Sequence, residues 1–123
     1  MKYFFYLMII LHVLMEGGLG ILLMISPATM APDADISSLA YLFNYGGAGI
    51  TMALVVAWYW PHRQNAVLTA TILGILATFH TAEALAGIQV ARLGGDPKIV
   101  ISHGIIAICF WILWSRRTQL SEA

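Results

Sequence analysis

Hydrophobic positions in this 123-residue chain fall into four long runs separated by short polar breaks. The runs cover about residues 3–25, 39–60, 66–90 and 99–114. Ser26-Pro27 ends the first, Pro61 the second, Gly94-Gly95 the third and Arg116-Arg117 the fourth. A helix needs about 20 apolar residues to cross a bilayer, and an open sheet cannot satisfy its backbone in lipid. The pattern therefore predicts an all-α fold, an antiparallel bundle of four transmembrane helices, with residues 1–123 forming a single integral-membrane domain. The fourth run is the shortest, so its helix is expected to tilt less or to reach further at its ends. The longest connection, residues 26–38, holds Pro27, Pro32, Asp33 and Asp35 and has room for a short interfacial turn. The first run, with Lys2 before it, has features of a signal sequence. Its length exceeds a signal core and Glu16 interrupts it, so a retained helix is expected.

Composition agrees with lipid as the solvent. Hydrophobic residues make up 60% of the chain and charged residues 10%, against about 25% charged in a soluble domain. The net charge is zero with no basic stripe, which argues against a nucleic-acid partner. The single cysteine, Cys109, excludes an intrachain disulfide and reads as a small packing residue. Lysine and arginine set the orientation. Lys2, Arg63, Arg116 and Arg117 fall on one side, while Arg92 and Lys98 share the other with Asp33, Asp35 and Asp96. Both termini are therefore expected in the cytoplasm, with Trp58, Tyr59, Trp60 and Trp114 at that interface as an aromatic belt.

Ionisable residues inside membrane spans are costly and tend to mark function. His12 and Glu16 lie in the first span, His80 and Glu83 in the third, and His103 in the fourth. At a rise of about 1.5 Å per residue, Glu16, His80, Glu83, His103 and Asn44 all fall within about 9 Å on the outer side of their span centres. His12 falls slightly inward. His12 and Glu16, four apart, share a helical face, as do His80 and Glu83, three apart. Small residues suggest where helices approach closely: Ala77, Ala84 and Gly87 beside His80, and Asn44, Gly47, Ala48 and Thr51 on the second helix. The run Gly46-Gly47-Ala48-Gly49 predicts a tight crossing.

Several chemistries fit these residues. His80, Glu83, His103 and Glu16 are candidate metal ligands of the kind found on facing helices of bundles, and the donor set suits iron, zinc or copper. Glu16 and Glu83 are alternatively catalytic acid and base groups, or members of a proton relay, in an intramembrane enzyme. Histidine-ligated haem fits less well, because the two carboxylates make the surroundings acidic and there are no attachment cysteines. His12 and Asn44 are candidate ligand-binding residues at the edges of the cluster, which would suit a small apolar ligand such as a quinone or lipid. The remaining reading is an interhelical hydrogen-bond network that fixes helix register in a structural assembly subunit. A membrane-protein partner or a homo-oligomer is compatible with the glycine-rich second span. His62, beside Pro61, reads as an interfacial loop residue. The six methionines are scattered, as in ordinary packing. No P-loop, dinucleotide-binding glycine motif, zinc-protease motif or cysteine pair is present.

The first span ending at Pro27, then Tyr45-Gly46-Gly47, then Ala91-Arg92-Leu93-Gly94-Gly95-Asp96-Pro97 together resemble small four-helix membrane proteins of the DoxX-like superfamily. Phe43 and Asn44 stand where many members carry an arginine. The resemblance implies a bacterial inner-membrane protein, and for some members a role as an accessory subunit in quinone-linked redox metabolism. It carries no catalytic residue onto Glu16, His80, Glu83 or His103.

Overall fold

A computed structural model describes residues 1–121. Among these residues the fold is all-α, and four helices are long and apolar enough to cross a membrane. The first, α1, runs Lys2–Ile25 and contains a single π-helical segment, Val13–Gly18. A short helix, α2, covers Pro27–Met30. Helix α3 covers Ile36–Tyr59, α4 Ala66–Arg92, α5 Lys98–Ser115 and the short α6 Thr118–Ser121. The predicted runs are all present, with ends displaced by a few residues.

Local chemistry accounts for those ends. Ser26 precedes a proline, which disfavours the helical region for it, and it lies at φ −150°, ψ 63°. Pro27 then occupies the start of α2, where a missing N–H costs nothing. The interfacial turn expected in this connection is thus α2. Helix α3 begins three residues before its apolar run because Asp35 accepts a hydrogen bond from the Ser38 N–H at 2.7 Å. That bond holds the Asp35 carboxyl below its ordinary pKa. A 3₁₀ turn, Trp60–His62, finishes the segment around Pro61. Asn65 caps α4 by accepting from the Val67 and Leu68 N–H groups.

Helix α4 ends in a Schellman turn. The Gly95 N–H reaches the Val90 carbonyl and the Gly94 N–H reaches Ala91. Gly94 sits at φ +90°, where a side chain is strained. Asp96 then accepts from the Lys98 N–H at 2.9 Å and starts α5.

The chain divides into two compact units, Ile9–Pro61 and Met1–Met8 with the residues from His62 onward. In the first unit the core is a close helix crossing. A Cβ on Gly20 would lie 2.7 Å from the Gly46 carbonyl oxygen, and one on Gly46 would lie 2.8 Å from the Gly20 carbonyl oxygen. One turn along, a Cβ on Gly49 would lie 2.8 Å from the Glu16 carbonyl oxygen, and Gly17 faces Ala53. The buried face of α3 is therefore Gly46, Gly49, Ala53, Val56 and Tyr59. This corrects the expected small-residue stripe of Asn44, Gly47, Ala48 and Thr51. Ala48 and Thr51 are exposed, and the Thr51 hydroxyl donates to its own helix at Gly47.

In the second unit, α4 and α5 pack along their lengths. Ile72, Leu73, Leu76, Ala77 and His80 are buried on α4, and His103, Ala107, Phe110 and Leu113 on α5. The Trp111 indole N–H donates to Thr81 Oγ1 at 3.1 Å, tying the helices together laterally. Gly87 lets α5 approach: a Cβ there would lie 3.0 Å from a Val100 methyl. The opposite face of α5 shows Ile101, Ile105, Ile108 and Ile112 outward at i, i+4, i+7 and i+11. In water such a stripe would be a large exposed apolar patch; in a bilayer it is the lipid-facing surface.

Replacing Gly46 by alanine puts a methyl against backbone, so destabilisation of about 1–3 kcal/mol is expected. Gly104→Ala meets nothing within 4 Å and should be neutral or stabilising by up to about 1 kcal/mol. Thermal unfolding of both variants in detergent compares the two, and equal losses would mean the crossing is not close-packed.

Candidate functional site

The second unit holds a histidine pair. His80 is fully buried on α4 and His103 is 5% exposed on α5. Their Nδ1 atoms are 2.9 Å apart. Helical phase explains the pairing. His80 continues the buried positions Leu73, Leu76 and Ala77, and His103 precedes Ala107, Phe110 and Leu113 on the facing stripe. Aromatic rings enclose the pair. Phe110 stacks on His80 with the ring planes 9° apart, and Phe79 meets His80 edge-on.

A contact of 2.9 Å between two Nδ1 atoms has two chemical meanings. As a hydrogen bond it requires one Nδ1 to carry the proton and the other to accept it, so the two rings are in different tautomers. Two positive imidazolium rings would place a proton on each Nδ1 and break the contact. As a ligand pair, both Nδ1 atoms are bare. With metal–nitrogen bonds of about 2.0–2.1 Å, this separation subtends about 90° at an ion, the angle of cis ligands in tetragonal or octahedral coordination.

The first unit holds a different pair, at the start of and within the π-helical segment of α1. His12 is fully buried and Glu16 is 2% exposed. The π turn begins directly after His12, contains Glu16 and ends at Gly17-Gly18. Such turns are rare and concentrate at functional sites. Gly49 of α3 lies beneath Glu16: a Cβ there would come 3.3 Å from Glu16 Oε2. The glycine crossing thus does more than bring two backbones together; it also makes space for the carboxylate.

The other candidates lie differently. Glu83 is half-buried, three residues beyond His80 on α4. Asn44 is exposed on α3. His62 lies exposed in the 3₁₀ turn at the end of α3. Cys109 is half-buried on α5.

Three features escaped the sequence reading: the π turn, the stacking of Phe110 on His80, and Gly49 under Glu16. The pairing Gly17-Gly18 directly after a buried glutamate was the available signal for the first. Phe110 follows His103 by seven residues, which placed it on the right face without revealing its ring partner.

No protein-family model matches the chain, and neither does any curated protein or solved structure.

Removing one imidazole of the His80–His103 pair leaves a buried Nδ1 without that contact, which costs about 1–3 kcal/mol. His80→Phe and His103→Phe should each be destabilising, while the double variant should lose less than their sum. A double-mutant cycle by thermal unfolding measures the coupling, expected at about 0.5–3 kcal/mol. Additive losses would mean the rings do not interact.

Proposed function

We propose that this is a small multi-pass protein of a bacterial inner membrane, with both termini in the cytoplasm, that binds a transition-metal ion through buried histidines. The observation that carries the reading is the 2.9 Å Nδ1–Nδ1 contact of His80 and His103 in an aromatic, lipid-embedded setting. Membrane spans hold ionisable groups at a cost and rarely without a task. Packing glue can be built from serine and threonine, and the spans already use Thr81 in that way. Two imidazoles with an approximately 90° bite suit copper or an octahedral iron centre better than tetrahedral zinc. Among the described residues, His12 and Glu16 are the other buried histidine and the buried carboxylate. The chain thus offers an imidazole pair in one unit and an imidazole–carboxylate pair in the other.

A role as an accessory subunit in redox metabolism fits both a redox metal and the DoxX-like resemblance. A second reading is favoured by the same contact. A neutral Nδ1–H···Nδ1 bond is a route for passing a proton from one helix to the next, and a relay needs no metal.

Elemental analysis of the purified full-length chain separates the readings. The metal reading expects a stoichiometric transition metal that is lost in His80→Ala and in His103→Ala but kept in His62→Ala. Running Glu16→Ala and His12→Ala alongside reports whether the imidazole–carboxylate pair of the other unit affects metal content. A metal-free wild-type protein after reconstitution with copper, iron and zinc would reject the metal reading and leave the relay.

A further inference from the structure

Glu83 lies well inside the membrane-length helix α4, nine residues before its last one (83 to 92). It is half-buried, at the edge of the stripe that packs the second unit. Its polar neighbours on α4 are satisfied inside that unit. His80 meets His103, and Thr81 donates to the Ala77 carbonyl and accepts from the Trp111 indole. Glu83 makes no hydrogen bond, ion pair or ring contact among the described residues. It also belongs to no group of three ligand-type side chains among them, so a metal ion would find a single donor there. A carboxylate placed this way in hydrocarbon is costly, and acids inside membrane spans are found paired.

This chain cannot supply the cation at that depth. Its basic residues are Lys2, Arg63, Arg92, Lys98, Arg116 and Arg117, each at or beyond the end of a span. Arg92, on the same helix, lies about 14 Å further along the axis. A second copy brings the same set, so self-association leaves the carboxylate as it was.

We propose that the Glu83 face of α4 docks a transmembrane helix of another protein that carries an arginine or lysine at the same depth. Charge favours such a partner. A basic side chain is what the carboxylate lacks, and the arginine fork offers it two parallel hydrogen bonds. Shape favours it as well. Ala82 and Ala86, four apart on either side of Glu83 in sequence, are both exposed, so a second backbone can come close beside the carboxylate. The outward face of α5 is different: Ile101, Ile105, Ile108 and Ile112 present bulk at each turn and no polar group, which suits lipid. The docking face goes beyond the metal reading, since a metal-free chain leaves Glu83 unchanged.

Fluorescence energy transfer in phosphatidylcholine vesicles tests this, between the full-length chain and a synthetic membrane-length leucine–alanine helix bearing one arginine at the depth of Glu83. That helix should associate about tenfold more tightly than an otherwise identical helix with leucine at the arginine position. The preference should vanish in Glu83→Gln, with helix content by circular dichroism confirming the fold, and persist in Asp96→Asn, outside the spans. Ala86→Leu keeps the charge and adds bulk at an exposed position, and it should weaken association of the arginine helix even if Glu83→Gln misfolds. Equal association of the two helices with the wild-type chain, or an arginine preference that survives Glu83→Gln, overturns the docking face. Labelling of Glu83 by dicyclohexylcarbodiimide that the arginine helix fails to block shows a carboxyl that keeps its own proton, and overturns it too.

Discussion

Placing titratable side chains within apolar, membrane-length helices constrains everything else in this protein. A polar group without partners costs several kcal/mol in hydrocarbon. Each such group must therefore face protein, and the helix carrying it must offer the right face. His80 and His103 meet this demand with each other, across α4 and α5. Glu16 is buried over Gly49, where the absence of a side chain leaves room for its carboxylate. Gly49 thus joins the crossing to the polar chemistry, because a Cβ there would lie 2.8 Å from the Glu16 carbonyl oxygen and 3.3 Å from its carboxylate.

The two units use different means to the same end. The unit of Ile9–Pro61 depends on backbone proximity and on one local irregularity, the π turn, which carries Glu16 and follows directly after His12. The helical hairpin of α4 and α5 depends on side-chain interlock: leucines and Phe110 in the core, Gly87 admitting Val100, and Trp111 bonded to Thr81. Its outward isoleucines leave lipid contact to apolar atoms alone. Long apolar helices with few charges are therefore compatible with a small, specific polar interior.

Much of this architecture was legible in the sequence. Run length and the breaks at Pro27, Pro61 and Gly94-Gly95 located the helices, because proline and a left-handed glycine act locally. The start of α3 was displaced because the Asp35 cap begins the helix three residues before its apolar run. The four consecutive small residues at 46–49 predicted a crossing but could not set its phase; every helical face contains one of them, and only the partner helix selects Gly46 and Gly49. Spacing did not fix the depth of burial of Glu83. It puts His80 and Glu83 on one face, yet His80 is buried while Glu83, nearer the end of the buried stripe, is half-buried. The π turn was not legible in the apolar periodicity, which carries no mark of one added residue; its one local sign was Gly17-Gly18 directly after Glu16.

His80 and His103 meet directly through their Nδ1 atoms within membrane-length helices. Nuclear magnetic resonance of chelator-treated full-length protein, with ¹⁵N-labelled histidine, reads this contact without reference to activity. A scalar coupling between the two Nδ1 nuclei through one shared proton is expected, abolished in His103→Phe. Two uncoupled Nδ1 signals, each exchanging its proton with solvent independently, would contradict it.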